Sequence, residues 1–218
     1  MGESNGSSGN SKMYSVVGGK WTRRCSEDTP NATKRINKND VEVCEVHFSQ
    51  LDNWLFTGME YKTLPFGKVI DFSIVEATTG ETASVSFTTN DQHLMTLCKM
   101  LPNVDASKPV TLALVLDKDK TAQKGKNCHG LLVKQDGEWV KHYYKRDVNG
   151  LPPFKERRDG SLDSSDHDDF LLGVLEDWAL SLDGVAKQVV TSPSAAYTDD
   201  DAPAEPETPV ADENDIPF

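Results

Sequence analysis

Several things are scarce in this 218-residue chain. No stretch approaches the ~20 consecutive apolar residues that a membrane-spanning helix needs, so no membrane association is expected. The opening MGESNGSSGNSK holds neither a basic segment nor an apolar one, which argues against a secretory signal. Residues 1–13 read instead as a flexible Gly/Ser/Asn leader. The four cysteines, Cys25, Cys44, Cys98 and Cys128, are too scattered for a zinc site, which draws on pairs about two to four residues apart. Reduced thiols in the cytoplasm are the expectation. Motifs of catalysis are missing too: there is no Gly-rich phosphate loop, no H-E-x-x-H and no G-x-S-x-G. Asp163, Asp166, His167, Asp168 and Asp169 are all good metal ligands, but a helix start favours negative charge there without any metal. No enzymatic activity, cofactor or metal is expected.

Positive charge is absent from one long stretch. Residues 191–218 contain eight acids and no Lys or Arg. They also contain Pro193, Pro203, Pro206, Pro209 and Pro217 and have no apolar periodicity. Such a segment cannot bury enough surface to offset its ordering entropy, so it reads as a disordered acidic tail. The formal charge is −12 for the whole chain and −4 for residues 1–190. Within that remainder the sign varies. Residues 159–190 carry eight acids against Lys187 alone, whereas residues 117–158 carry eleven Lys/Arg against six Asp/Glu. The early GGKWTRRC, followed by Lys34, Arg35 and Lys38, is also basic.

Residues 14–158 read as one β-rich domain. VEVCEVHF and NWLFTGM are β-rich segments separated by a polar turn at residues 49–53. Ile70, Phe72 and Ile74 alternate with Val69, Asp71 and Ser73, the TTGE turn follows, and Ala83, Val85 and Phe87 answer, which is the pattern of a hairpin. The period then changes. Leu94, Leu97, Cys98 and Leu101 fall at helical spacing, with Asn90 as the expected N-cap and Pro102 as the stop. PVTLALVLD suits a central strand, and CHGLLVKQ, the DG turn and EWVKHYY form another hairpin. The layout of strands, one short helix and further strands is that of an OB-fold-like Greek-key barrel of five to seven strands. Residues 159–190 add an amphipathic helix, capped by Ser164 or Ser165, with Phe170, Leu171, Val174, Leu175 and Trp178 as its apolar stripe. That stripe can pack on the barrel or on a second subunit of a dimer.

The basic strands also carry rings. Trp139, Lys141 and Tyr143 share one face of their strand. Rings there can stack on unpaired bases while the ammonium meets phosphate. The Lys118, Lys120, Lys124 and Lys126 loop and the Lys145–Arg146 pair extend this surface. Lys20, Trp21, Arg23 and Arg24 repeat the theme, and Trp54, Phe56 and Tyr61 are further candidates. The partner this combination suggests is single-stranded DNA.

The chain's last residues, DENDIPF, set acids before an apolar tip. This resembles the tip of the bacterial single-stranded DNA-binding proteins, with Asp212, Glu213 and Asp215 as the acids and Ile216, Pro217 and Phe218 after them. Asn214 departs from the usual acidic run, and the rest of the chain does not show that family's familiar opening sequence. The resemblance is therefore to a divergent, phage-like member, which implies the cytoplasm of a bacterial host. It also implies docking on replication, recombination or repair enzymes, whose apolar pocket takes the Phe side chain while a basic residue holds its carboxylate. A different reading is an interaction protein that presents the tip as a decoy for repair enzymes without binding DNA.

Overall fold

The computed structural model describes residues 12–182, except Lys38, Asn39, Phe66, Asp119, Lys120, Gln123, Lys124, Lys126, Asn127, Arg146 and Asp147. Most of the predicted leader and the whole acidic tail lie outside the described residues. The elements in chain order are β1 (Lys12–Val17), β2 (Lys20–Arg24), β3 (Thr33–Ile36), β4 (Glu42–Phe48), β5 (Gln50–Leu64), β6 (Gly67–Glu76) and β7 (Thr82–Thr88). Helix α1 (Gln92–Cys98) and a 3-10 turn (Leu101–Asn103) precede β8 (Val110–Leu116), β9 (His129–Gln135) and β10 (Glu138–Trp139). A small ribbon of β11 (Lys155–Glu156) and β12 (Leu162–Asp163) leads to α2 (Ser165–Ala179). Among the described residues no helix is long and apolar enough to cross a membrane.

The protein is mainly β. Ten strands form one mixed sheet in the order β10-β9-β8-β5-β6-β7-β1-β2-β4-β3. The expected turn at residues 49–53 is corrected to an irregularity: β4 and β5 do not pair, only a bend at Ser49 separates them, and Asn53 takes a positive φ where the register with β8 shifts, so residues 42–64 form one long, bent run. Leaving this run from β5, the ladders pass through β6, β7, β1 and β2 and return to it at β4. Five strands around such a circuit cannot alternate in direction throughout, because five is odd. The parallel pair of β1 with β7 supplies the one required mismatch. Lys12 and Met13 therefore belong to the sheet, not to a leader.

Local sequence explains the hairpins. The β1–β2 connection is Gly18-Gly19 and the β9–β10 connection is Asp136-Gly137, all four with positive φ, the two-residue turn whose twist matches paired strands. The expected hairpin of β6 with β7 forms with Ile74 opposite Ala83, Phe72 opposite Val85 and Ile70 opposite Phe87, all six buried. β8 lies between β5 and β9, as its two-sided apolar character predicts. Helix α1 starts one residue later than expected: Asp91, not Asn90, is the N-cap and accepts a hydrogen bond from the His93 amide at 2.7 Å.

Helix α2 forms where its pattern predicts, with Ser164 at the N-cap position. The Ser164 hydroxyl donates to the Asp168 carboxylate at 2.6 Å, so it does not serve the helix amides. Leu171 and Leu175 are buried, and Trp178 meets Phe56 edge to face at 5.3 Å. The apolar stripe thus packs on its own chain, against α1, the 3-10 turn and the sheet.

Candidate nucleic-acid interface

Alternation along β2 divides the KWTRR cluster. Trp21 is wholly buried, its indole N–H donates to the Leu112 carbonyl at 2.9 Å, and its ring lies edge to face with Phe87. It has no free face for a base, so its expected DNA-facing role is corrected: a Trp flanked by cations is core here. Arg23 shares the inward face. Its guanidinium carbon is 6.0 Å from the ring centroids of Tyr14 and Phe48, and its Nε–H is buried without a hydrogen-bond partner. Lys20 and Arg24 turn outward and are exposed.

Trp54 and Phe56 are corrected in the same way. Both are buried, Trp54 against Tyr14 at 6.0 Å and Phe56 against Phe72 at 5.4 Å. Transfer of two large rings out of water outweighs any use of them at the surface of a molecule this size. Tyr61 is exposed, but its hydroxyl donates to the Glu176 carboxylate of α2 at 3.1 Å. Partial burial and that carboxylate push the phenol up to about 12. A ring tied beside a carboxylate is a poor platform next to phosphate, and Tyr61 serves to fasten α2.

The predicted alternation after β9 holds, although the strand does not. β10 stops at Trp139, yet Trp139 is 51% and Tyr143 40% exposed, with Lys141 exposed between them. Val140 and Tyr144 pack inward, Tyr144 edge to face with Phe170 at 5.2 Å. The segment is pinned by backbone: the Lys99 carbonyl accepts from the amides of Tyr143 (2.7 Å) and Tyr144 (3.2 Å), and the Asn103 amide side chain donates to the Lys141 carbonyl at 2.9 Å. Asn103, Gln135, Asp136, Glu138, Trp139, Val140 and Lys141 line an open depression of about 560 Å³. Lys134, opposite Trp139 in the ladder, places its ammonium 5.8 Å from the Trp139 ring centroid. Lys134 was missed by sequence reasoning. The two-residue Asp136-Gly137 turn carried the signal, because it fixes that register.

A second basic group gathers at the opposite end of β9. Gly19 lies so close under the His129 ring that any Cβ there would overlap it. This contact sets the β1–β2 turn, and with it Lys20, beside the base of the Lys118 loop. That base is closed by bonds from the Asp117 amide to the Cys128 carbonyl (2.7 Å) and from the Cys128 amide to the Thr121 hydroxyl (2.9 Å). Lys118 is exposed, whereas Lys120, Lys124 and Lys126 lie outside the described residues, as does Arg146. Five residues of β9 separate the levels of His129 and Lys134, or roughly 17 Å. The rings and the Lys20/Lys118 group therefore occupy two ends of one strand.

Ion pairing divides the described cations without setting the candidates apart, since Lys68, Lys134 and Arg158 also make no ion pair among the described residues. Lys12, Lys34, Arg35, Lys62, Lys108, Lys155 and Arg157 all contact carboxylates. Lys20, Arg24, Lys118, Lys141 and Lys145 make no ion pair among the described residues. The predicted tip, Asp212 to Phe218, lies outside the described residues. Comparison of the chain with known protein families, with curated proteins and with solved structures finds no match.

Proposed function

We propose that this chain binds single-stranded DNA with little sequence preference and recruits replication, recombination or repair enzymes through Asp212, Glu213, Asp215, Ile216, Pro217 and Phe218. The observation that carries the reading is the exposed row Trp139, Lys141 and Tyr143, whose Lys141 makes no ion pair among the described residues, with a separate group of unneutralised cations at the other end of β9. Paired lysines present little net field to a polyanion, whereas Lys20, Arg24, Lys118, Lys141 and Lys145 keep theirs. Trp139 and Tyr143 supply the sequence-tolerant stacking faces that single strands offer and duplexes hide. The circuit of five strands through the 42–64 run, with one parallel pair and with α1 following β7, the last of the five in chain order, is compatible with a barrel, and an OB-type barrel is an architecture that hosts oligonucleotides on its strands and loops. The reading involves no chemical step, so the protein acts by binding alone.

A protein lacking residues 191–218, titrated with oligo-dT and with duplex of equal length, tests this. Exposed Trp139 provides the fluorescence signal. Single strand should be preferred by at least about tenfold, because the rings need unstacked bases. Equal affinity for both would mean a charge-driven duplex binder. The charge of −4 on residues 1–190 favours a second reading, the decoy that binds no DNA, and absence of any binding would establish it.

A further inference from the structure

Cys25 follows β2, Cys44 lies within β4, and the ladder between the two strands ends on them. Arg24 is paired with Glu45, and one step further the Cys25 amide donates to the Cys44 carbonyl at 3.0 Å. The two cysteines therefore stand directly opposite in an antiparallel pair, with both side chains on the same face. Opposed residues of such a hydrogen-bonded pair have Cα atoms about 5.5 Å apart, inside the range of about 4.4–6.8 Å that disulfides span. Both residues are half-buried with free thiols, while Cys98 and Cys128 are buried elsewhere. The charge of a Cys25 thiolate is felt at Cys44, where it helps to raise the pKa, which places the sulfurs in the same neighbourhood.

We propose that Cys25 and Cys44 are an oxidation site that forms a reversible cross-strand disulfide between β2 and β4. The oxidant is a small-molecule disulfide such as oxidised glutathione. Burial first, and then the nearby Glu27 carboxylate, hold the Cys44 thiol above its ordinary value, so it is the slower attacker of an external reagent. Cys25 attacks one glutathione sulfur, forming a mixed disulfide and expelling one glutathione thiolate. Cys44 then attacks the Cys25 sulfur, the mixed S–S bond breaks, and the second glutathione thiolate leaves. Two protein thiols are oxidised, one glutathione disulfide is reduced, and the two protons pass through solvent to the two leaving thiolates. Opposed Cβ atoms in a sheet lie about 4.5–5.5 Å apart, against about 3.5–4.5 Å in a disulfide, so the strand ends must draw together. A bridge under that tension is of the reducible kind. It would fix the end of the strand that carries Lys20, Arg23 and Arg24, but the site stands independently of any nucleic-acid role.

The test uses the full-length protein, incubated natively with excess oxidised glutathione, alkylated and mapped by mass spectrometry. Two of the four thiols should be lost together with the mass of two hydrogens. One cross-linked peptide should join Cys25 to Cys44, and dithiothreitol should restore both thiols. Cys25→Ser should abolish the intramolecular bridge. Persistent glutathione adducts on both cysteines, four unreacted thiols, or a bridge that survives in Cys25→Ser would each overturn the assignment.

Discussion

At the scale of the residue, identical side chains take opposite duties according to the face they occupy. Trp21 and Trp139 both sit among cations in the sequence, yet one is wholly buried and the other half exposed. Trp21→Ala should therefore cost about 3–5 kcal/mol of folding stability, measured by urea unfolding. Trp139→Ala or Tyr143→Ala should leave folding largely intact and lower oligo-dT affinity by about 1–3 kcal/mol each. Undiminished affinity in both folded variants would remove the rings from the binding surface. Asp91 offers a different probe. Burial alone would push its carboxyl up, but hydrogen bonds from the His93 ring and backbone hold it below its ordinary value. A depressed folded value means that its stabilisation is complete above the unfolded value and is lost as pH falls through the folded one. Asp91→Ala should cost about 1 kcal/mol at neutral pH, and Asp91→Asn should retain the cap while losing this acid sensitivity. Unfolding curves between pH 2 and 7, as approximate limits of the titration, would check both.

At the scale of the element, turns and close approaches place the basic groups. Gly19 has a φ of +75° and no room for a side chain under His129. Gly19→Ala should be destabilising through two separable terms, left-handed backbone strain and overlap with the imidazole. Adding His129→Ala should recover the second term only. A double-mutant cycle by thermal unfolding that shows strictly additive effects would mean the turn does not rest on His129. The segment after β10 illustrates the converse. It alternates in and out like a strand, but after the Val140 amide bonds the Val133 carbonyl of β9 it is held by Asn103 and the Lys99 carbonyl.

At the scale of the whole molecule, charge is segregated: unpaired cations on the folded part and eight acids in residues 191–218. On the proposed reading the acidic segment is a tethered competitor for the DNA surface. Deleting it should raise oligo-dT affinity, more at low salt than at high, because screening weakens its attraction. Unchanged affinity at both salt concentrations would rule the competition out. Removing Phe218 alone preserves every acidic side chain, so DNA binding should stay the same while capture of repair enzymes is lost.

The sequence by itself determined most elements and their faces. Periodicity located the β6–β7 hairpin, α1, β8 and α2, and glycine-bearing turns located the β9–β10 hairpin, because these signals are written by neighbours within a few residues. Local alternation also grouped Trp139, Lys141 and Tyr143 on one face and set Trp21 and Arg23 opposite Lys20 and Arg24. Only the tertiary structure decided which face is the inside. Trp21, Trp54 and Phe56 became core because strands far apart in the chain meet there: Trp21 finds its hydrogen-bond acceptor at Leu112, and Phe56 finds Trp178. The continuity of residues 42–64 and the parallel pairing of β1 with β7 were equally illegible. A strand's own residues specify its pleat, whereas its neighbours and their direction depend on how a distant ladder closes.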